Sequence, residues 1–381
     1  MNFSASTGNA VKISKIDTLR VSIPFENDGP RVGLRPSLDS RPWTHMECLM
    51  ARVEADDGVV GWGEAFGHFV NGGTQEILNS LVAPWFIGKD PREILSLTDE
   101  AQRGFHGFGR SGPVVYALSA IDIALWDMNA KRAGQPLYRL LGGRDGRLDL
   151  YASLTRYRGD PDALRRNCQR AQQIGYTMIK LHETTIPAFL VAREALNPET
   201  RIMLDVNCPW SVAEARAVAR AIRDRNFHWL EEPVWPPEDY AGLAEVRKEG
   251  VAIACGENVS SQHEFRRVFE AQAVDVIQPS VIKLGGISAM MQVIALARAF
   301  SVRVIPHCFY WGPGYLATAH VAASMAERPP VETPFIKLER VPHRLFNPNQ
   351  ATLELPDTPG LGFEPDPAAL ETYMLARHSV S

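Results

Sequence analysis

Asp205 in RIMLDVN, Glu231 in FHWLEEP and Glu257 in VAIACGEN each close a short apolar run, at intervals of 26 residues (205, 231, 257). Taken singly, Asp205 could cap the helix that follows its strand and Glu257 could be a surface charge. Adjacent Glu231 and Glu232 cannot both face inward from a strand, and alternation alone leaves open which does. Carboxylates recurring together at three successive strand ends point instead to a divalent cation, and an all-oxygen donor set favours Mg²⁺ over zinc. Lys180 and His182 in YTMIKLH are two residues apart, so on a strand their side chains leave by the same side. His307 ends VRVIPH on a later strand and can approach a shared ligand from another direction. A single lysine is more often a surface group, and a single histidine a hydrogen-bonded structural one. The apolar setting of Lys180 and the strand-end position of His307 favour chemistry. A cation with bases on two sides suits removal of the proton next to a carboxylate, because the enediolate formed carries extra negative charge.

Those residues need a frame. Eight strand-like segments, LDLYASL, YTMIKLH, RIMLDVN, HWLEEP, VAIACGE, AVDVIQP, VRVIPH and PVETPF, alternate with helical or loop stretches such as SVAEARAVARAIRDR. Eight parallel strands in roughly 200 residues predict a (β/α)8 TIM-like barrel, whose chemistry collects at the C-terminal strand ends. From Val11 to about Glu64 the chain alternates as an antiparallel meander with an Asp57-Gly58 turn, and after Gly73 it turns helical, so the N-terminal region is an α+β domain. We place the domains at 1–143 for this region and 144–340 for the barrel, with 341–381 packing back on the first domain. MNFSASTGNA has the character of a loose leader.

Net charge is −4 and no dense Lys/Arg block is present, which argues against nucleic acid as a partner. Five scattered cysteines without C-x-x-C argue against a disulfide framework or zinc ribbon and suit the cytoplasm. No signal-like core or 18-residue uncharged stretch supports secretion or membrane insertion. The expected partner is a small molecule.

GWGE at Gly61–Glu64, SAIDIALWD at Ser119–Asp127, LLGG, LDVN, WLEEP, GEN, IKLGG at Ile282–Gly286 and the PGLG tail together resemble the mandelate racemase and muconate lactonizing enzyme family of the enolase superfamily. The resemblance implies that Asp205, Glu231 and Glu257 hold Mg²⁺, with Glu231 chosen over Glu232. It further implies Lys180, His182 and His307 as catalytic groups, a small carboxylate substrate and a homo-oligomer. Two loops, Glu26–Trp43 and Ala65–Gly73, would cap the barrel. Asn207, Ser280, Glu332, Trp311 and His68 are candidate substrate contacts, and Arg31, Arg35 and Arg41 could meet a distal carboxylate. The aromatic run Phe309-Tyr310-Trp311 hints at an apolar pocket wall.

Two departures bear on the reaction. The family's Lys-x-Lys is here Lys180-x-His182, and the aspartate that commonly orients the histidine is here Ser280, a hydroxyl that can orient the ring without supplying charge. Asp275 lies too early in its strand to substitute. The expected activity is a dehydratase of a sugar acid or related hydroxy acid, with His182, supported by Lys180, as base and His307 as acid. The alternative is a racemase, epimerase or cycloisomerase; a scaffold without catalysis is a third reading.

Overall fold

A computed structural model describes residues 11–35 and 38–381; the N-terminal segment expected to be a loose leader lies outside the described residues. Strands β1 (Ile13–Glu26), β2 (His45–Ala55) and β3 (Val60–Ala65) form the antiparallel meander, with Leu19 opposite Met50 and Leu49 opposite Ala65. The helix Pro113–Arg132 lies on this sheet, and its approach explains the glycines of GWGE. A Cβ on Gly61 or Gly63 would come within 2.0 and 1.8 Å of the carbonyls of Ala124 and Ala120.

All eight expected barrel strands are present: β4 (Arg147–Ser153), β5 (Met178–Leu181), β6 (Arg201–Asp205), β7 (Trp229–Glu231), β8 (Ile253–Cys255), β9 (Val276–Ile277), β10 (Arg303–Val304) and β11 (Val331–Pro334). They pair in parallel and in order from β4 to β10, while β11 returns to β4 with Val331 opposite Leu150. Among the described residues no ladder joins β10 to β11. A side chain spans that seam instead, as the Cys308 N–H donates to the Glu332 carboxylate at 2.8 Å. Inside the barrel, Tyr151, Met178, Met203, Trp229, Ala254, Val276 and Ile305 fill one apolar layer. Because side chains alternate along a strand, Met203 in this layer puts Asp205 inside too, above it, and Ile305 does the same for His307.

The helices between strands start on local signals. Asp160 caps Pro161–Ile174, and Ser211 with Glu214 forms a capping box for Val212–Ile222. Beyond the barrel, β12 (Lys337–Leu338) and β14 (Met374–Val380) join β1, while β13 (Thr352–Glu354) pairs with β4. The tail therefore touches both sheets.

Three buried acids of the first domain tie it to its neighbours, two to the barrel and one to the tail. Glu64 accepts from the Gly314 N–H (2.8 Å) at the start of the helix Pro313–Ser324. Asp122 accepts from the Ser288 N–H (3.1 Å) at the start of Gly286–Ala299, and Asp127 from the Trp62 and Leu361 N–H groups (2.9 and 2.7 Å). A carboxylate at a helix N-terminus meets unpaired N–H groups and the positive end of the dipole. A Cβ on Gly286 would fall 2.1 Å from Asp122 Oδ1, and one on Gly360 2.2 Å from Asp127 Oδ1. The shared motifs SAIDIALWD, IKLGG and PGLG are thus interlocking parts of one joint.

Candidate active site

β5, β6, β7 and β11 bring four charged groups into contact at the top of the barrel. The fully buried Lys180 Nζ lies 3.1 Å from Asp205 Oδ2, 3.0 Å from Glu231 Oε1 and 2.7 Å from Glu332 Oε1, the last reaching in from β11. Burial alone would lower the lysine's proton affinity, but Glu231, Glu332 and Asp205 carry it well above the ordinary value. Burial likewise opposes ionisation of Asp205, yet the charges of Lys180 and His182 hold its carboxyl below the usual range. Glu231 moves the other way, pushed well up by burial and then by Asp205.

His182 lies just beyond the last ladder residue of β5. Its Nδ1 bonds the Leu154 carbonyl, and its Nε2 is 3.2 Å from Asp205 Oδ2. Lys180 and His182 thus meet the same carboxylate oxygen, as their two-residue spacing predicts. Glu257 and His307 also stand beyond their ladders, and they face one another with His307 Nε2 2.8 Å from Glu257 Oε2. Burial resists the Glu257 charge, but Lys283 and then His307 bring its carboxyl well below the usual range. Arg35 reaches the same carboxylate from the capping loop at 3.5 Å.

The chain turns between Glu231 and Glu232. Glu231 points inward and accepts from Trp229 Nε1 (2.9 Å), whereas Glu232, at φ 44°, turns toward Asn258 (2.6 Å) and Cys208. A left-handed backbone at a glutamate carries strain, and here it sends the two carboxylates to different sides.

A cavity partly open to solvent joins His182, Asp205, Asn207, Glu257 and His307 to the capping loops. Asn207 bonds the Asp205 carboxylate with its side-chain amide. His68 lines the cavity; burial, then the Lys283 ammonium, bring its imidazole down to about 4. Of the three loop arginines, Arg35 lines this cavity, while Arg41 stacks on Phe69 at 4.4 Å and Arg31 lines a neighbouring groove.

Three expected contacts do not line it, and the first, Glu332, is fully buried against Lys180 and the Cys308 N–H. Trp311 is buried beneath the cavity wall, and its neighbour Phe309 forms the wall instead. The Ser280 hydroxyl lies 3.3 Å from the Tyr310 hydroxyl, which in turn donates to the His307 carbonyl. Ser280 therefore braces the backbone of His307, and the ring's buried Nδ1 has no partner among the described residues. Asp275 is remote, paired with Arg247 at 2.8 Å.

Sequence reasoning missed Arg156 and Asp39, paired across the barrel mouth, and it missed Asn258 and Lys283, which sit 3.0 Å apart beside Glu257. Lys283 and Asn258 were within reach, as both fall inside or beside the quoted IKLGG and GEN motifs. The Arg156–Asp39 pair joins residues 117 apart and leaves no local signal.

The first-domain family model, described as mandelate racemase / muconate lactonizing enzyme, N-terminal domain, matches residues 40–142, and an enolase C-terminal domain-like model matches 163–369. The chain belongs to the mandelate racemase and muconate lactonizing enzyme family of the enolase superfamily. It is 30% identical to D-galactarolactone cycloisomerase of Agrobacterium fabrum, over 93% of this chain and 96% of that one. With arabinonate dehydratase of Saccharolobus solfataricus it shares 28% identity over 86% and 91%. L-talarate/galactarate dehydratase of Salmonella typhimurium, solved with Mg and L-lyxarohydroxamate, superposes with a TM-score of 0.85 at 25% identity, over 100% of this chain and 97% of that one.

The family implies a metal, so the residues must be tested for fit. As oriented here, no three acidic, His or Cys side chains among the described residues converge on one point. Asp205 and Glu231 close on Lys180, and Glu257 closes on His307. The donor chemistry nonetheless fits a hard divalent cation. Asp205 and Glu231 are neighbouring buried carboxylates in direct register, and burial together with Asp205 drives up the proton affinity of Glu231.

Proposed function

We propose that this enzyme removes the proton α to the carboxylate of a hydroxy acid with Mg²⁺ bound, and most readily completes the reaction as a sugar-acid dehydratase. The observation that carries the reading is the pair of histidines facing one cavity, each turning Nε2 to a carboxylate of different commitment. A carbonyl oxygen only accepts, so the Leu154 contact puts a proton on His182 Nδ1 and leaves Nε2 as the atom that exchanges a proton with substrate. His182 Nε2 lies 3.2 Å from Asp205 Oδ2, an oxygen already shared with Lys180, whereas His307 Nε2 lies 2.8 Å from Glu257. The longer, shared contact assigns His182 as the base, and the shorter one assigns His307 as the acid.

In this reaction His182 Nε2 takes the α-proton, and the new positive charge lies 3.2 Å from the Asp205 carboxylate. The electron pair left on carbon forms an enediolate. His307 then gives its Nε2 proton to the β-hydroxyl, which leaves as water, and the resulting enol becomes a 2-keto acid. Lys180 offers fixed positive charge beneath the cavity, 3.1 Å from the Asp205 carboxylate that lines it, and Glu332 holds it there. Magnesium held by Asp205, Glu231 and Glu257 supplies further positive charge for the carboxylate oxygens. A small substrate is matched to this cavity, and no helix among the described residues is long and apolar enough to cross a membrane. Five free thiols support a reducing cytoplasm, and the family supports a homo-oligomer.

Cycloisomerisation is the second reading, favoured by the 30% identity to a cycloisomerase and requiring the same first step. A panel of hydroxy acids incubated with enzyme and Mg²⁺ in D₂O separates them. Dehydration yields 2-keto product, and His307→Asn abolishes that product while α-proton exchange continues. Exchange surviving in His182→Asn, or a His307→Asn enzyme that dehydrates at the normal rate, overturns the assignment.

A further inference from the structure

The half of the cavity remote from the histidines is built from rings. Phe25 packs edge-on to Trp43 (4.9 Å between centroids), Trp43 packs on His68 (5.4 Å) and Phe309 (5.8 Å), and Phe66 stands against His68 (5.1 Å). Val32 and Leu34 of the capping loop extend this surface. Phe309 continues it to the reacting centre, its ring edge-on to His182 at 5.8 Å.

Polar groups interrupt the wall at few points, and most are already committed. Asn27 Nδ2 donates to Thr155 Oγ1 at 2.8 Å, and its carbonyl accepts from the Gly29 N–H. Arg156 Nη2 is paired with Asp39, and Arg35 with Glu257. The Arg35 guanidinium stays partly exposed, so it is a polar group this half still offers a ligand.

A chain bearing a hydroxyl on every carbon would press several of them against ring faces with nothing to bond. Each such hydroxyl loses its water without compensation, a loss on the order of tenfold in kcat/KM. A face of C–H groups gains contact with the same rings. We infer that the substrate is a ring-closed or deoxygenated sugar acid rather than an open-chain polyol, laying an apolar face on Phe25, Trp43, Phe66 and Phe309 and turning its remote oxygens away from them. This rests on the reading that the carboxylate end lies between His182 and His307.

The test compares acids matched at C2 and C3 but differing beyond them: open-chain aldonates, their terminally deoxy counterparts, and anhydro-ring acids. Binding to the full chain is followed calorimetrically with and without Mg²⁺, and α-proton exchange in D₂O is followed alongside. The expected result is at least about tenfold tighter binding of the ring-closed or deoxy acids, with the same order in kcat/KM. Equal or tighter binding of the open-chain polyols overturns the inference. A binding preference without any α-proton exchange supports the inference and removes the proton-abstraction reading instead. Trp43→Gln, on the partly exposed capping loop, is expected to narrow the preference about tenfold; an unchanged ratio overturns the role of the ring wall.

Discussion

Replacing Lys180 with Met tests whether the centre is held together by charge. Methionine keeps an unbranched apolar stem of similar reach, so the principal loss is the ammonium itself. That ammonium lies 2.7–3.1 Å from oxygens of Asp205, Glu231 and Glu332, and each of the four side chains is 3% exposed or less. Removing one partner of a buried ionic cluster leaves uncompensated charge and costs about 3–5 kcal/mol. Unfolding entropy of about 2.1 cal/mol/K per residue over 381 residues is about 0.8 kcal/mol/K, so the expected fall in melting temperature is about 4–6 °C. The measurement is calorimetric melting in chelator at neutral pH. Magnesium at about 100 times its dissociation constant stabilises a folded protein by about 2.7 kcal/mol, and is expected to restore about 3 °C to the variant. A variant that melts at or above the parent temperature in chelator would refute the reasoning, because it would mean that the three carboxylates do not need the ammonium.

Two further substitutions address the joint between the domains. Glu64 is buried, and desolvation pushes its carboxyl up from 4.5 to about 7. A carboxyl whose folded value is raised contributes stability below its unfolded value and loses it as pH rises through the folded one, here between about pH 4.5 and 7. Glu64→Gln removes that dependence, so the variant's melting temperature relative to the parent is expected to rise by about 4 °C from pH 4.5 to 8, equivalent to about 3 kcal/mol. Parallel pH profiles of the two proteins would contradict it. Gly286→Ala forces a Cβ to within 2.1 Å of Asp122 Oδ1 at a backbone φ of 89°, and a destabilisation of about 3 kcal/mol is expected in denaturant melts. A loss of less than about 0.5 kcal/mol would show that the joint yields at no cost.

The part of this centre legible in the sequence is the part that backbone periodicity governs. Alternation along a strand decides that Lys180 and His182 share a side, and the length of one strand and helix module decides the interval between Asp205, Glu231 and Glu257. Residues within such a module report on each other locally, which is why all eight strands could be counted. Where a side chain turns after it leaves the wall is decided by groups far away in the chain, and there the reading fell short. The Ser280 hydroxyl is taken by Tyr310, 30 positions later, so the natural expectation that it orients the His307 ring fails. Trp311 looked like pocket wall because it follows His307, but the turn into the helix Pro313–Ser324 buries it and presents Phe309. His182 and His307 are alike as residues, and each turns Nε2 to a carboxylate; what separates them is a carbonyl from the loop after β4 at His182 Nδ1, where His307 Nδ1 has no partner among the described residues. The surroundings of the two rings are therefore a property of how the barrel strands pack, which brings Leu154 to His182 and Glu257 to His307, and not of either histidine's own neighbourhood in the chain.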